Sequence, residues 1–347
     1  MVMDGKIFLQ AIPAPLLFWY RAHKRDLLWR KNPTPYHIWV SEIMLQQTRV
    51  EAVKEYYARF IKRLPTISAL AKCPEEELLK LWEGLGYYSR VRNMQKTAKI
   101  VVNNYGGKLP ASYEELVALP GIGSYTAGAI LSIAYGLPVA AVDGNVLRVV
   151  NRLTKNYTPV NDEKYKKELA KSLSEVYPKD KVDCSDFTQS LFELGALICK
   201  PQNPDCGNCP LKGLCMAAKT GAQRELPVMP EKREKREESV YIFVIKTPLG
   251  YAIRRRESGV LKGMNEFPSH IIEDNETPES VLFAWGVDNF KEIRRRKYKH
   301  IFTHIRWDIT CVYGEADSVP FDTYTKEEID KNLSLPTAIR QCFSIID

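Results

Sequence analysis

The chain has 347 residues, 45% of them hydrophobic, enough for two or three buried cores. Its 50 Lys and Arg against 42 Asp and Glu leave a net charge of +8, an excess that permits a polyanionic partner without requiring one. The first thirty residues carry Asp4 and a proline-broken apolar run rather than the parts of a signal peptide, and no apolar run is long enough to span a bilayer. A cytoplasmic protein is therefore expected, where stable disulfides are rare.

In chain order, residues 1–218 read as helical throughout. "HIWVSEIMLQQTRVEAVKEYYARFIKRL" has apolar residues at helical spacing with Gln47 as an interruption, and "SYEELVAL", "SYTAGAILSIAYG" and "FTQSLFELGALIC" read as further helices. Turns such as "LPGIG" and "GLPVAAVDGN" separate them. Residues 219–238 are charged and without apolar periodicity, which predicts a linker. Beyond it "SVYIFVIKT", a "PLG" turn and "YAIRRR" predict a β-hairpin, and "KHIFTHIRWDITCVYGE" alternates as a half-buried strand does. Residues 239–347 are thus expected to form a separate α+β domain.

Four stretches carry chemistry. In "WVSEIMLQQT" Glu42 sits among Trp39, Val40, Ile43 and Met44, and a carboxyl desolvated in this way has a raised pKa and a proton to donate near neutrality. Read by itself, Glu42 fits better on the exposed face of a helical turn. "LPGIGSYTAGAIL" places Gly121 and Gly123 between two helices, a turn whose backbone N–H groups suit a phosphate; a simple tight turn explains it equally well. In "VDGNVLRVVNRL" Asp143 stands before a helix, an N-cap by default and otherwise a carboxylate aimed at developing positive charge. "CKPQNPDCGNCPLKGLC" spaces Cys199, Cys206, Cys209 and Cys215 by six, two and five residues. In a reducing compartment this favours metal, either tetrahedral zinc or a [4Fe–4S] cluster. Cys73, Cys184, Cys311 and Cys342 have no such company and are expected to be buried small hydrophobes.

Together "SEIMLQQTRV", "GLGYYSRVRN", "LPGIGSYTAGAI", "VDGNVLRV" and the cysteine spacing occur in one order that closely resembles the MutY-type adenine DNA glycosylases of the helix–hairpin–helix, endonuclease III superfamily. The resemblance covers nearly the whole chain. It implies a multidomain protein: an all-α glycosylase region with its helix–hairpin–helix at about 112–135, an iron–sulfur cluster loop at 199–215, and a C-terminal α+β Nudix-like domain. It implies a [4Fe–4S] cluster on Cys199, Cys206, Cys209 and Cys215, organising a loop with Lys212 near DNA rather than catalysing.

The resemblance also implies a substrate, adenine opposite 8-oxoguanine or guanine in duplex DNA, flipped out of the stack before its N-glycosidic bond is cut. Glu42 matches the general acid and Asp143 the carboxylate that stabilises the oxocarbenium-like sugar, two carboxyls in different environments with different roles. Tyr125 and Asn145 match supporting polar residues. Gln47 and Tyr87 match residues that wedge into the stack, with Thr48 beside them, and Trp29, Arg30 and Gln189 align with the adenine pocket. Gly121 and Gly123 belong to the DNA-binding hairpin. Bifunctional relatives place a Lys where this chain has Tyr125, so efficient lyase activity is not expected.

In the C-terminal domain the acidic core of a working Nudix box is absent, with Glu279 alone from such a set, so recognition of the oxidised base is expected instead of hydrolysis. The Phe-Ser-His signature of the family appears as Phe302, Thr303 and His304, and Leu28 stands where Pro is common. A monomeric, bacterial, nucleoid-associated cytoplasmic enzyme without membrane contact is expected.

Overall fold

The computed structural model describes residues 9–231, 234–273 and 276–346; the start of the chain, with Asp4, lies outside the described residues. The chain forms two compact units, one of residues 1–72 and 92–231, the other of residues 73–91 and 232–347.

The first unit is helical. Its helices begin where the sequence supplies a stop for the preceding backbone: Pro13 and Pro35 open two of them, and the side chains of Thr34, Asp143, Asp162 and Asp180 accept hydrogen bonds from the first turns of four. Helix Lys181–Leu197 packs against Pro13–His23, Ile130–Tyr135 and Gly144–Thr154. A core of Leu16, Tyr20, Val146, Val150, Leu173, Phe187 and Leu191 fills the space between them. The interruption at Gln47 is a true break: helix Pro35–Leu45 ends there, Gln47 takes a φ of 59°, and helix Val50–Arg63 follows.

Two glycines let elements approach that would otherwise be held apart. A Cβ on Gly128 would lie 2.5 Å from the carbonyl oxygen of Ala140, and one on Gly195 would lie 2.7 Å from Cβ of Asn145. The first brings the loop before Asp143 against the helix that bears Tyr125. The second seats Asn145 on helix Lys181–Leu197.

In the second unit "VYIFVI" is apolar on both faces because its strand is covered on both. Strand β1 (Arg236–Thr247) turns into β2 (Gly250–Arg255) as predicted and pairs in parallel with β6 (Ile305–Glu315). With β3 (Asn265–Glu266), β4 (Ser269–Ile271), β5 (Lys291–Ile301) and β7 (Asp322–Tyr324) these form a mixed seven-stranded sheet among the described residues. Val240, Ile242 and Trp307 pack on one face with Ile339 and Phe343, while Phe243, Ile245 and Val312 pack on the other with Val281 and Leu282.

Three expectations change. "KHIFTHIRWDITCVYGE" is not one strand but the end of β5, a turn at Phe302, Thr303 and His304, and β6; the turn is closed by Phe302 N–H donating to the Ile305 carbonyl (2.8 Å) and contains no Gly, Pro or Asn to announce it. The predicted linker is ordered against the first unit as far as Val228, whose carbonyl accepts from Val160 N–H (3.0 Å), while Arg152 Nε donates to the Leu226 carbonyl (2.8 Å); β1 then starts at Arg236. Residues 73–91, expected within the helical region, belong to the second unit. Lys80 Nζ donates to the Leu333 carbonyl (2.9 Å), and Ser334 Oγ to the Leu79 carbonyl (3.2 Å). Glu83 Oε1 accepts from Leu335 N–H (3.1 Å) and Arg340 Nε (2.9 Å).

Cys73, Cys184, Cys311 and Cys342 are buried, as expected. Among the described residues no helix is long and apolar enough to cross a membrane.

Candidate active site

A cleft of about 660 Å³ opens in the first unit, lined by Trp29, Arg30, Glu42, Gln47, Thr48, Tyr125, Asp143, Asn145, Gln189 and Glu193 among others. It gathers nine of the residues singled out from the sequence, drawn from five helices and the turns beside them.

Glu42 lies on the inner face of helix Pro35–Leu45 and is 4% exposed. Burial pushes its pKa up to about 7; Asp143 works in the same direction, while a hydrogen bond from Tyr125 and the charge of Arg30 oppose it. The Tyr125 hydroxyl donates to Glu42 Oε2. Burial, with the charges of Glu42 and Asp143, holds the tyrosine well above its ordinary value, so it remains a neutral donor. Phe192 packs beside Tyr125 with its ring tilted by 51° and the centroids 5.8 Å apart.

Asp143 is the N-cap of helix Gly144–Thr154 and faces the cleft as well. Oδ1 accepts from Val146 N–H (2.7 Å), and Oδ2 from Asn145 Nδ2 (2.8 Å). Burial raises its pKa, and these donors, with Arg148, counter that rise. Arg148 ties the arrangement together: it donates to Asn145 Oδ1 (2.8 Å), to the Gly195 carbonyl (3.0 Å) and to the Cys199 carbonyl (2.8 Å). Capping engages Oδ1, so Asp143 serves as the N-cap without using Oδ2.

Trp29 is buried edge-on against Tyr57, with centroids 5.4 Å apart. Gln189 Nε2 donates to Ser185 Oγ (3.2 Å). Gln47 is exposed at the helix end, and Thr48 Oγ1 donates to the Gln46 carbonyl (3.5 Å). Gly121 has φ +77°, and a Cβ there would lie 2.8 Å from that of Asn93; Gly123, the N-cap of Ser124–Ala129, faces open space.

The sequence reading missed Glu193. Its carboxylate accepts from Arg25 and Arg30, and its signal was an acid alone in the apolar run "SLFELGAL".

In the second unit Tyr87, with φ 47°, is half exposed, and its hydroxyl shares a hydrogen bond with Thr303 Oγ1 (2.7 Å). Thr303 and His304 are exposed at the β5–β6 turn. Phe302 packs between His300 (4.6 Å) and Trp307 (4.9 Å). Glu279 is exposed and close to Arg295 (3.8 Å), and among the described residues no carboxylates cluster to hold a divalent cation.

Cys199, Cys206, Cys209 and Cys215 line one pocket floored by Val149, Leu153, Leu194 and Ile198. Arg152 donates to Cys199 Sγ (3.4 Å), and Ala218 N–H to Cys215 Sγ (3.4 Å). Burial raises the thiol pKa of Cys206, Cys209 and Cys215, and their neighbouring thiols add to the rise, so the set calls for a positive centre. No three or more His, Cys, Asp or Glu among the described residues are placed to hold a single metal ion; a four-iron cube is larger and takes each thiolate on a different iron.

Three family matches agree with this layout: the HhH-GPD superfamily of base excision DNA repair proteins over residues 40–179, the iron–sulfur binding domain of endonuclease III over 199–215, and the NUDIX domain over 241–344. A solved endonuclease III–DNA complex superposes with a TM-score of 0.53 at 27% identity, covering 63% of this chain and 99% of that one. The fold and cluster loop thus define a helix–hairpin–helix protein of the base excision repair class. Adenine DNA glycosylase of Buchnera aphidicola (Baizongia pistaciae) is 34% identical over 97% of this chain and 94% of its own length; that of Mus musculus is 32% identical over 97% and 78%. The chain belongs to the adenine DNA glycosylase family.

A [4Fe–4S] cluster binds in the loop between helices Lys181–Leu197 and Met216–Thr220, where the four cysteines are its candidate ligands. Purified protein is expected to contain about four irons per chain. Cys206→Ser should lower iron content and visible absorbance together, whereas unchanged iron in that variant would remove Cys206 from the ligand set.

Proposed function

We propose that the protein removes adenine from duplex DNA where it is mispaired with 8-oxoguanine or guanine, acting as a monomer and without efficient strand cleavage. The observation that carries this reading is the pairing of Glu42, a buried acid poised to hold a proton near neutrality, with Asp143 in one cleft large enough for a flipped nucleotide. Glu42 donates its proton to a ring nitrogen of adenine, and the electron pair of the C1′–N bond leaves with the base. Asp143 stabilises the cation that develops at C1′, and water adds to C1′, passing its proton to the Glu42 carboxylate left by the first step. Tyr125 holds Glu42 in place, and Asn145 with Val146 N–H orients Asp143. Trp29, Arg30 and Gln189 form the walls against which the base rests. Gln47 and Tyr87 enter the stack, and the hairpin at Gly121 and Gly123 meets the phosphate backbone.

A base-release and strand-cleavage assay tests this. Free adenine with an abasic strand that stays intact until alkali is added is the expected result. Immediate strand scission with a borohydride-trapped enzyme–DNA adduct would favour the endonuclease III type of chemistry, which needs an amine where this chain has Tyr125.

The turn at Phe302, Thr303 and His304 is the proposed reader of the oxidised guanine. Oxidation converts the N7 acceptor to a donor and adds a carbonyl at C8, and the Thr303 hydroxyl can meet either. Thr303→Val should cost about tenfold to a hundredfold in preference for 8-oxoguanine over guanine, the value of one well-made hydrogen bond of roughly 1–3 kcal/mol. Because this hydroxyl is also bonded to Tyr87, Tyr87→Phe is the control for loss of that bond alone. Equal losses on both duplexes would make Thr303 structural.

A further inference from the structure

Glu193 lies fully buried on helix Lys181–Leu197 and lines the same cleft as Glu42. Oε1 accepts from Arg25 N–H (3.0 Å), Arg25 Nε (2.8 Å) and an Arg30 guanidinium nitrogen (3.2 Å); Oε2 accepts from Arg25 (2.8 Å) and Arg30 (3.1 Å). Arg30 is anchored further by donating to the Arg25 carbonyl (3.0 Å). One carboxylate thus fixes two guanidiniums in a forked, charge-assisted cluster. Burial alone would raise the pKa of Glu193, but the hydrogen bonds from Arg25 and Arg30 bring it down to about 2, so it stays charged throughout the working range. Tyr20, on helix Pro13–His23, Asp186 and, through Arg25, Glu51 are further titratable groups that act on the cluster.

Arg30 is also an electrostatic neighbour of Glu42, whose other polar neighbours are Tyr125, from the helix Ser124–Ala129, and Asp143, from the loop before Gly144. Arg30 favours loss of the Glu42 proton. Asp143 favours its retention.

We propose that Glu193 is a positioning residue for the acid step: it clamps Arg25 and Arg30 to the cleft wall and offsets their charge, so that Arg30 contacts the base without stripping the proton from Glu42. This rests on the proposed role of Glu42 as general acid. The cluster of two arginines and one carboxylate carries a net charge of about one. Without Glu193 it would carry two beside a buried acid. In general a unit charge placed about 10 Å from a carboxyl, in an effective dielectric near 20, moves its titration by about one pH unit.

The test is single-turnover adenine release from an 8-oxoguanine:adenine duplex between pH 5 and 9, using the full chain with its cluster. The rate of the parent protein should fall as pH rises through about 7. Glu193→Gln should move that midpoint down by about one unit, cutting the rate about tenfold at pH 7.5 while leaving it within about threefold at pH 5.5. Glu193→Asp, which keeps the charge, should restore the midpoint. Arg25→Gln removes one positive charge from the same cluster and should move the midpoint up, so the inference does not depend on Glu193→Gln folding. A midpoint shared by the parent and all variants would overturn the role of Glu193 alone. A parent rate with no alkaline fall would remove Glu42 as the acid and this inference with it.

Discussion

Glu42→Gln is expected to lose adenine release by at least a hundredfold in single-turnover measurements while retaining affinity for the mispaired duplex. The amide has the shape of the carboxyl and can still accept from the Tyr125 hydroxyl, so the helix Pro35–Leu45 and its contacts are preserved. What disappears is the proton. A positioned general acid contributes about a hundredfold to ten-thousandfold, and the site offers no substitute: Tyr125 holds its proton too tightly, and Asp143 is engaged by the donors of its own helix turn. Near-normal release by this variant would refute the assignment. Parallel loss of binding and release would show that Glu42 shapes the cleft instead.

Asp143→Asn should be nearly as damaging, for a different reason. Asn caps a helix about as well as Asp, so Val146 N–H keeps its acceptor and thermal stability should change little. The negative charge facing the sugar is lost. Preorganised charge of this kind is worth about a hundredfold to a thousandfold in rate, and an Asn in its place offers only a dipole. The informative comparison is between melting temperature and rate: a stable variant with a rate down by that factor supports the electrostatic role. A rate that falls only with stability would reduce Asp143 to a cap. Its neighbour Asn145 should matter less, because Val146 N–H and Arg148 still act on Asp143 without it.

The parts of this site that were legible were local. The position of Asp143 before an apolar helix announced its cap, and the cysteine spacing announced a metal loop; Glu42, which by itself read better as exposed, is buried because its whole helix is covered. Their convergence was not local. It depends on Gly128 and Gly195 allowing backbone and side chains within contact distance, and no periodicity marks a glycine as a point of close approach. Glu193 had a signal, an acid inside an apolar stretch, but its partners Arg25 and Arg30 lie far away in sequence. Two arginines sharing one acid cannot be read from any single segment.

The second unit shows the same division. The hairpin of β1 and β2 was announced by its turn, whereas the hairpin of β5 and β6 was hidden because Phe302, Thr303 and His304 continue the strand-like alternation through the bend. The placement of residues 73–91 was hidden too. Their helical pattern is ordinary, and it is long-range bonds, from Lys80, Glu83, the Leu79 carbonyl and Tyr87 to Leu333, Ser334, Leu335, Arg340 and Thr303, that tie them to the C-terminal unit. One consequence is practical: ending the chain near residue 224 would strip Tyr87 and its segment of these partners, so single substitutions at Thr303 are the cleaner probe of guanine recognition.

The central claim is that a protonated Glu42 drives departure of adenine, and its most direct measurement is the pH dependence of free adenine released in a single turnover from a duplex with one 8-oxoguanine:adenine pair. Burial raises Glu42 to about 7, and the reaction needs its protonated form. The rate should therefore be highest on the acid side, fall about tenfold per unit above pH 7, and in Glu42→Gln lie at least a hundredfold below the parent on the acid side with no such fall. A rate that is flat from pH 5 to 9, or near-normal adenine release in Glu42→Gln, would contradict it.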